Sequence, residues 1–229
     1  MTAHTTNKAS QLGLKLSPEN PLDAEFFVPH SGTITATELL ETLFELCASR
    51  QKQFVFAYIY GPQGTGKSHL IATFIEQCKS VRPQAGYIEI STMRLPVIAS
   101  ESNTQAIEEW VPHFVSEYQR LLTQGGMLIL EAECPPSTSS TNPHLRSRLL
   151  AACTAQVTYP SPQELHPLIC SISERNNLKL SEKNLEYLLK RLPLRPLSFE
   201  RIFARLFELS LERGVPAKQP LIRETLKSG

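Results

Sequence analysis

The sequence has almost no net charge and contains no strongly basic segment. Its 229 residues include 23 Lys and Arg against 22 Asp and Glu, which gives a formal charge of +1. Domains that bind nucleic acid directly usually carry a basic patch or stripe on one face. We therefore expect no direct, sequence-specific binding of DNA. The rest of the composition, 41% hydrophobic and 20% charged, is typical of a globular protein.

Long apolar runs are also absent. No stretch approaches the roughly 20 apolar residues that cross a membrane, and the first ten residues contain no apolar signal region. The five cysteines are widely spaced, odd in number and form no C-x-x-C pair, which favours reduced thiols over a disulfide framework. These absences predict a soluble, unprocessed cytoplasmic protein without a membrane partner.

One segment that is present predicts a binding site for nucleotide phosphates. Residues 61–68, with the sequence GPQGTGKS, match the pattern G-x-x-x-x-G-K-[ST] in full. Glycines allow consecutive backbone N–H groups to turn toward phosphate oxygens, and a following helix adds the positive end of its dipole. In this pattern Lys67 reaches the β- and γ-phosphates. The predicted ligand is ADP or ATP, with Mg²⁺ coordinated by the Ser68 hydroxyl and the nucleotide. The predicted nucleotide-binding residues are Gly61, Pro62, Gln63, Gly64, Thr65, Gly66, Lys67, Ser68 and His69.

The elements around this segment predict an α/β fold. The apolar run Phe54–Tyr60 predicts a buried strand before it, and the apolar spacing from Ser68 to Lys79 predicts a helix after it. Further strands are predicted at Gly86–Ile90 and Met127–Leu130, and a short one at Gln156–Tyr159. Strands separated by helices indicate a parallel sheet flanked by helices.

Two more helices are predicted in the first part of the chain. Glu38–Arg50 has amphipathic spacing, with Thr37 as a possible cap. Asn103–Leu122 carries an apolar stripe that includes Trp110, which either packs in the core or lies at an interface. Pro112 lacks a backbone N–H, so we expect it to kink or split this helix.

From Leu145 onward the apolar spacing becomes mainly helical, which predicts a small C-terminal all-α lid domain. We divide the chain into a flexible tail at 1–20, a P-loop α/β domain at 21–160 and a helical lid domain at 161–229. The predicted lid helices are Ser161–Arg175, Ser181–Leu192, Ser198–Arg213 and Pro220–Lys227.

Hydrolysis needs one acidic residue at a strand end to hold Mg²⁺ and a second to orient the attacking water. Leu95–Ile98 is followed by Ala-Ser-Glu, with no carboxylate at either required position. Met127–Leu130 is followed by Glu131-Ala132-Glu133, with alanine at the second position. Glu131 is therefore either a metal-site carboxylate or a solvent-facing strand end. In both cases we predict very slow hydrolysis or none, below the roughly 1 s⁻¹ of ordinary enzymes.

Several segments together resemble the DnaA-type clade of AAA+ proteins, and most closely the Hda-like regulators of the bacterial replication initiator. The first is YIYGPQGTGKSHL at residues 58–70, whose P-loop marks the whole superfamily. More specific are LILEAECPP at residues 128–136 and HLRSRL at residues 144–149, followed by a C-terminal helix ending in PLIRETL. The resemblance implies an AAA+ domain with a lid. It makes Met127–Leu130 the sensor strand and leaves Leu95–Ser100 as a degenerate metal strand.

The resemblance also implies roles for two arginines. Arg148 matches the arginine that reaches the nucleotide of a neighbouring subunit, and we expect a homo-oligomer. The alternative is a salt bridge between sheet and lid, which Arg146 could form as well. A guanidinium suits the first role because it is always charged and its fork fits phosphate oxygens. The family's lid arginine aligns with Leu197, so Arg195 is a weak candidate for a substitute.

The tail segment QLGLKL at residues 11–16 resembles the short peptide by which bacterial replication proteins dock on the DNA polymerase sliding clamp. An extended segment can insert leucines into an apolar groove while a glutamine meets a polar subsite. The alternative is an edge strand that packs on this protein's own core. The predicted clamp-binding residues are Gln11, Leu12, Leu14 and Leu16.

These features lead to one favoured function and two alternatives. We expect a nucleotide-bound regulator that docks on the sliding clamp and promotes inactivation of the DnaA-type initiator, with little or no ATP hydrolysis of its own. In the family, the initiator carries a DNA-binding helix-turn-helix domain after the lid. Here no residues follow the predicted lid at 161–229, so we expect no such domain and no initiator role. An active ATPase, such as a helicase-loader-like protein, is the first alternative. A small-molecule kinase is a poorer one, because no Arg-rich closing lid is evident.

Overall fold

The computed structural model of the protein describes residues 22, 24–49, 53–81, 88–96, 104–139, 142–193 and 195–228. The predicted tail, with its clamp-binding segment at residues 11–16, lies outside these residues. So does most of the predicted degenerate metal strand, because the described stretch ends at Pro96.

Four parallel strands form one sheet within the described residues, as the alternation of strands and helices predicts. Their spatial order is β2-β3-β1-β4, so that β3 lies between β1 and β2. The two central strands, β1 and β3, are almost completely buried, which accounts for their continuous apolar sequences. The strands are β1 (Phe54–Tyr60), β2 (Ile90–Arg94), β3 (Gly126–Ala132) and β4 (Cys153–Gln156).

The predicted positions of the two outer strands are wrong by several residues. β2 begins at Ile90, where the predicted strand ended, and β4 ends at Gln156, where the predicted strand began. Both strands are partly exposed and carry polar residues between apolar ones. A half-exposed strand has no continuous apolar run, so the sequence marks its ends poorly.

In the part of the chain that the structure describes, four helices flank the sheet: α1 (Ile34–Ser49), α2 (Lys67–Val81), α3 (Thr104–Gln124) and α4 (Pro143–Leu150). Successive residues of a strand point to opposite faces of a sheet. Ala57 of β1 packs in an apolar cluster with residues of α1 and α2, whereas its neighbour Tyr58 packs in a second cluster with residues of α3 and α4. The sheet is therefore the middle layer of three.

Two helix predictions need correction. α1 begins at Ile34 and not after Thr37, because a 3-10 turn at Ser31–Thr33 leads directly into it. α3 runs through Pro112 as one helix, so of the predicted kink or split the split does not occur, and the kink stays a prediction. Proline removes one N–H and frees a carbonyl one turn earlier. Pro112 and Glu108 are both exposed, which lets water satisfy that carbonyl.

Trp110 belongs to the core. Its ring stacks on Phe114 with the centroids 5.0 Å apart and the planes 14° from parallel. It packs against the cluster between the sheet, α3 and α4. Of the two alternatives left open by the sequence, the structure therefore favours core packing.

The last four helices have an apolar cluster of their own, in which Phe199 and Phe203 are fully buried. They lie close to the predicted helices, although α7 begins at Pro196 instead of Ser198, since proline suits a first helical turn. None of the helices in the described ranges has the length and apolar character required to cross a bilayer. The four helices are α5 (Leu165–Arg175), α6 (Glu182–Leu189), α7 (Pro196–Arg213) and α8 (Gln219–Ser228).

Candidate nucleotide-binding site

The glycine-rich segment forms a turn between the end of β1 and the start of α2, which is the context that phosphate binding requires. Gly61, Gly64 and Gly66 have positive φ angles of 154°, 78° and 89°. A Cβ atom on Gly61 would lie 2.0 Å from the carbonyl oxygen of Val157, so only glycine fits there. The turn ends at Lys67, the first residue of α2, whose leading N–H groups lack acceptors within a helix.

Lys67 is buried at the base of the turn, 5% exposed. Its ammonium donates to the carbonyl oxygens of Gly61 at 2.7 Å and Pro62 at 2.9 Å. Burial lowers the pKa of Lys67, and the carboxylates of Glu131 and Glu133 oppose that change. The amine is thus held next to the turn, with carboxylates nearby that favour its charged form.

Ser68 is part of a three-residue polar cluster with Glu131 and Arg94. The Ser68 hydroxyl faces both carboxylate oxygens of Glu131, at 2.9 and 3.0 Å. Nη2 of Arg94 donates to Ser68 Oγ at 2.8 Å and to Glu131 Oε1 at 2.6 Å. Glu131 therefore faces the P-loop and is not a solvent-facing strand end; its side chain is 13% exposed.

A cavity of about 370 Å³ lies above the turn, where the sheet meets the C-terminal helices. Its lining is partly polar and partly apolar. An adenine nucleotide is mixed in the same way, since its diphosphate is charged and its base is a flat aromatic ring. The polar lining includes the turn, Lys67, Ser68, Arg94 and Glu131, together with His30, Arg175 and Glu200. The apolar lining includes Phe26, Phe27, Val28, Leu168 and Ile172.

Leu197, the residue that aligns with the family's lid arginine, lines the cavity. Leu197 of α7 lies directly against the turn, so that a Cβ on Gly64 would come within 2.9 Å of the Leu197 Cβ. Arg195 precedes α7 and is exposed; its guanidinium lies 5.6 Å from the centre of the Tyr159 ring. Tyr159 in turn donates to the Gln63 carbonyl at 2.9 Å. Arg195 does not line the cavity, and it contacts the turn only through this tyrosine.

Arg148 lies in α4, outside the cavity of its own chain. Its Nη1 donates to the His144 carbonyl, one turn earlier in the same helix, at 3.2 Å. Arg146 is exposed on the same short helix. The assignment of Arg148 to a neighbouring subunit's nucleotide stays a prediction.

Three cavity residues were missed by sequence reasoning. His30 is buried and hydrogen-bonds to the Thr65 backbone, Arg175 is buried and pairs with Glu200 at 3.1 Å, and Arg94 joins the polar cluster. Arg94 ends a parallel strand, a position that often faces a ligand. The sequence did not reveal this position of Arg94, because the strand was predicted to end at Ile90 and β2 ends at Arg94. His30 and Arg175 come from segments with no recognisable motif.

A cysteine–histidine contact in the C-terminal helices has the wrong chemistry for a second site. Cys170 Sγ lies 3.9 Å from His166 Nδ1, and His166 Nε2 lies 2.7 Å from Glu182. Burial raises the pKa of Cys170, and the charge of Glu182 acts in the same direction. A nucleophilic cysteine needs a lowered pKa. Among the described residues, no group of three or more His, Cys, Asp or Glu side chains is arranged to hold a metal ion.

No protein-family model matches the chain, and no curated protein matches its sequence. Solved structures match it in three dimensions. Domain III of the replication initiation protein DnaA from Thermotoga maritima has a TM-score of 0.69 at 15% identity, over 93% of this chain and 98% of that one. AMPPCP-bound DnaA from Aquifex aeolicus has a TM-score of 0.55 at 18% identity, over 85% and 69% of the two chains. The Thermotoga maritima RuvB Holliday junction branch migration motor has a TM-score of 0.55 at 15% identity, over 93% and 72%.

These similarities define the class of fold. The parallel sheet flanked by helices, with further helices at its C-terminal side, is the AAA+ P-loop fold of DnaA and RuvB. The predicted fold class is thus confirmed. With identities below 20%, the similarity describes architecture and leaves the activity of this chain to its own residues.

Proposed function

We propose that this chain binds an adenine nucleotide at Gly61–His69 and acts as an Hda-like regulator of replication initiation. The observation that carries the first part is the cavity, because it joins the glycine-rich turn to apolar side chains in a volume of about 370 Å³. Ligand pockets of about 300–1,000 Å³ are typical for small molecules. A neighbour of the same fold, the DnaA from Aquifex aeolicus, was solved with the ATP analogue AMPPCP bound.

Isothermal titration with ADP and with ATP tests nucleotide binding. Lys67→Ala removes the buried ammonium and leaves the turn in place. Because hydrogen bonds to charged groups contribute about 1.5–3 kcal/mol, we expect a loss of affinity of roughly 10- to 100-fold. Lys79→Ala, at an exposed position near the end of the same helix, is the matched control and should bind as the wild type does. No heat with either nucleotide for the wild type would end the proposal.

The second part of the proposal concerns partners. The tail at 1–20 docks on the sliding clamp, while the P-loop domain at 21–160 and the lid at 161–229 contact a DnaA-type initiator and promote its inactivation. Support comes from the resemblance of the tail peptide and from the DnaA-like fold. Arg148, half-buried on helix α4, is the residue proposed to reach a neighbouring subunit's nucleotide.

A pull-down with sliding clamp, with and without ADP, tests the docking step. The chain without residues 1–16 should lose the clamp and keep its thermal unfolding transition. Leu14→Ala with Leu16→Ala should have the same effect. Thr5→Ala with Thr6→Ala, also in the tail, is the matched control and should leave binding unchanged. Clamp retained by the truncated chain would refute the docking role of the tail.

One observation favours an alternative, an active ATPase of the helicase-loader type. Glu131 contacts Ser68, where a metal-binding carboxylate would lie, and Glu133 lines the same cavity although Ala132 stands between them. The strict Asp-Asp or Asp-Glu pattern is therefore absent, yet two carboxylates reach the cavity. A steady turnover of ATP above roughly 1 s⁻¹, or one that DNA or a helicase stimulates, would favour this alternative.

A further inference from the structure

The two residues considered as Mg²⁺ ligands, Ser68 and Glu131, both contact an arginine side chain. Sequence reasoning assigned Mg²⁺ to the Ser68 hydroxyl, with Glu131 as the candidate carboxylate. The structure brings these two residues together and inserts Arg94 beside them. Given the nucleotide binding proposed above, we propose that the Arg94 guanidinium takes the role of the divalent cation, so that ADP binds equally well without Mg²⁺.

The contacts show that both prospective metal ligands are already engaged by Arg94. One nitrogen, Nη2, lies 2.8 Å from Ser68 Oγ and 2.6 Å from Glu131 Oε1. Mg²⁺ requires oxygen ligands at about 2.0–2.1 Å in near-octahedral geometry. A metal between Ser68 and Glu131 would have to displace the guanidinium from both oxygens and would then lie next to a like charge.

The backbone explains why Arg94 is in this position. β2 and β3 pair in parallel register, with Arg94 directly beside Glu131. Paired residues of neighbouring strands point to the same face of a sheet, and the carboxyl ends of parallel strands meet at the edge where ligands bind. Glu131 is the partner of Ile59 in β1, the strand that leads into the P-loop. Strand order therefore brings the arginine to the phosphate end of the cavity.

Arg94 can also donate to a phosphate. A guanidinium carries five N–H donors in a flat fork, and its two contacts with Ser68 and Glu131 use those of Nη2. The side chain is 68% exposed and lines the cavity. Lys67 and Arg94 together supply two positive charges beside the turn, which offset the carboxylates of Glu131 and Glu133.

Titration of ADP into the full chain, once with Mg²⁺ and once with EDTA, tests this inference. For the wild type we expect dissociation constants that agree within about threefold, because the cation is built in. Arg94→Gln should weaken binding in EDTA by roughly tenfold, the lower range for a charged hydrogen bond. Mg²⁺ should restore much of that loss, since Ser68 and Glu131 are then free to coordinate it. Arg205→Gln, at an exposed arginine paired with Glu208, is the matched control and should behave as the wild type.

The outcomes separate this inference from the proposed function. Wild-type binding that requires Mg²⁺ would overturn the role of Arg94 and leave nucleotide binding intact. Equal affinity of wild type and Arg94→Gln in EDTA would overturn it too. No binding of ADP under either condition would refute the proposed function itself. Arg94→Lys, which keeps the charge but loses the fork, should bind ADP in EDTA better than Arg94→Gln, and this variant decides the question if Arg94→Gln unfolds.

Discussion

Leu197 of helix α7 lies against Gly64 in the P-loop, so closely that a Cβ added to Gly64 would approach the Leu197 Cβ to 2.9 Å. This leucine gives the turn an apolar contact. The contact connects the C-terminal helices directly to the residues proposed to hold the diphosphate. Gly64 is therefore sensitive to substitution for two reasons: its positive φ and its contact with Leu197.

Gly64→Ala should destabilise the protein more than Gly66→Ala does. Both glycines have positive φ, which costs an alanine about 1–2 kcal/mol. Only Gly64 also meets Leu197, and overpacking adds about 1–3 kcal/mol; the space around Gly66 is open. Urea unfolding without nucleotide measures the difference. In a Leu197→Ala background the two glycine variants should become more alike, and equal costs in the wild-type background would show that Leu197 does not touch the turn.

Acidification should weaken the fold through His30. Its Nδ1 accepts from the Gly32 N–H at 3.2 Å, and burial lowers the pKa of His30 below its ordinary value of 6.5. The folded protein therefore favours the neutral ring. This contribution is complete above about pH 6.5 and is lost as the pH falls below it, because the unfolded chain takes up the proton first. Between pH 7.5 and pH 5, the thermal unfolding temperature should fall less for His30→Asn than for the wild type. For His113→Asn, a control at an exposed position on α3, it should fall as much as for the wild type.

A second, more acidic transition should come from Glu164. The Ser161 hydroxyl donates to this carboxylate at 2.6 Å and the Ser31 hydroxyl at 2.8 Å. Hydrogen bonds, first of all from Ser161, lower the pKa of Glu164 to about 2. Its contribution is present above the ordinary pKa of 4.5 and is lost as the pH falls from there toward 2. In acid unfolding monitored by circular dichroism, the fraction unfolded should change less steeply with pH in Glu164→Gln than in the wild type. Glu186→Gln, a control at an exposed position on α6, should keep the steepness of the wild type. Equal steepness in the two variants would contradict the assignment to Glu164.

If the proposed function holds, Arg148→Ala should abolish the stimulation of ATP hydrolysis by a DnaA-type initiator. It should leave this protein's own nucleotide affinity unchanged. The residue lies outside its own cavity, and arginines that reach a neighbouring nucleotide contribute on the order of 10³-fold or more to its hydrolysis. The measurement is ATP hydrolysis by a DnaA-type initiator in the presence of this protein and the clamp. Arg146→Ala, on the same helix, should retain the stimulation. If Arg148→Ala instead lowers the unfolding temperature and keeps the stimulation, the salt-bridge alternative is the correct one.

Much of the site was predictable because its residues are close together in the chain. The P-loop is a continuous segment between a buried strand and a helix, so both the motif and its context are visible in the sequence. The continuous apolar runs of the central strands β1 and β3 also made those strands predictable. Outer strands were misplaced, since a half-exposed strand leaves a weak pattern. Of the two outcomes predicted at Pro112, the split is wrong, because the helix continues and its freed carbonyl faces solvent.

The sequence by itself determined the class of fold and the location of the phosphate-binding turn, because periodicity and a contiguous motif are local properties of a chain. Only the tertiary structure decided what surrounds that turn. The contact of Arg94 with Glu131 joins residues 37 positions apart, and that of Tyr159 with Gln63 joins residues 96 apart. Such pairs depend on strand order and helix packing, which bring separate segments together at one edge of the sheet. The contacts of Arg94 with Ser68 and Glu131 were decided at that level.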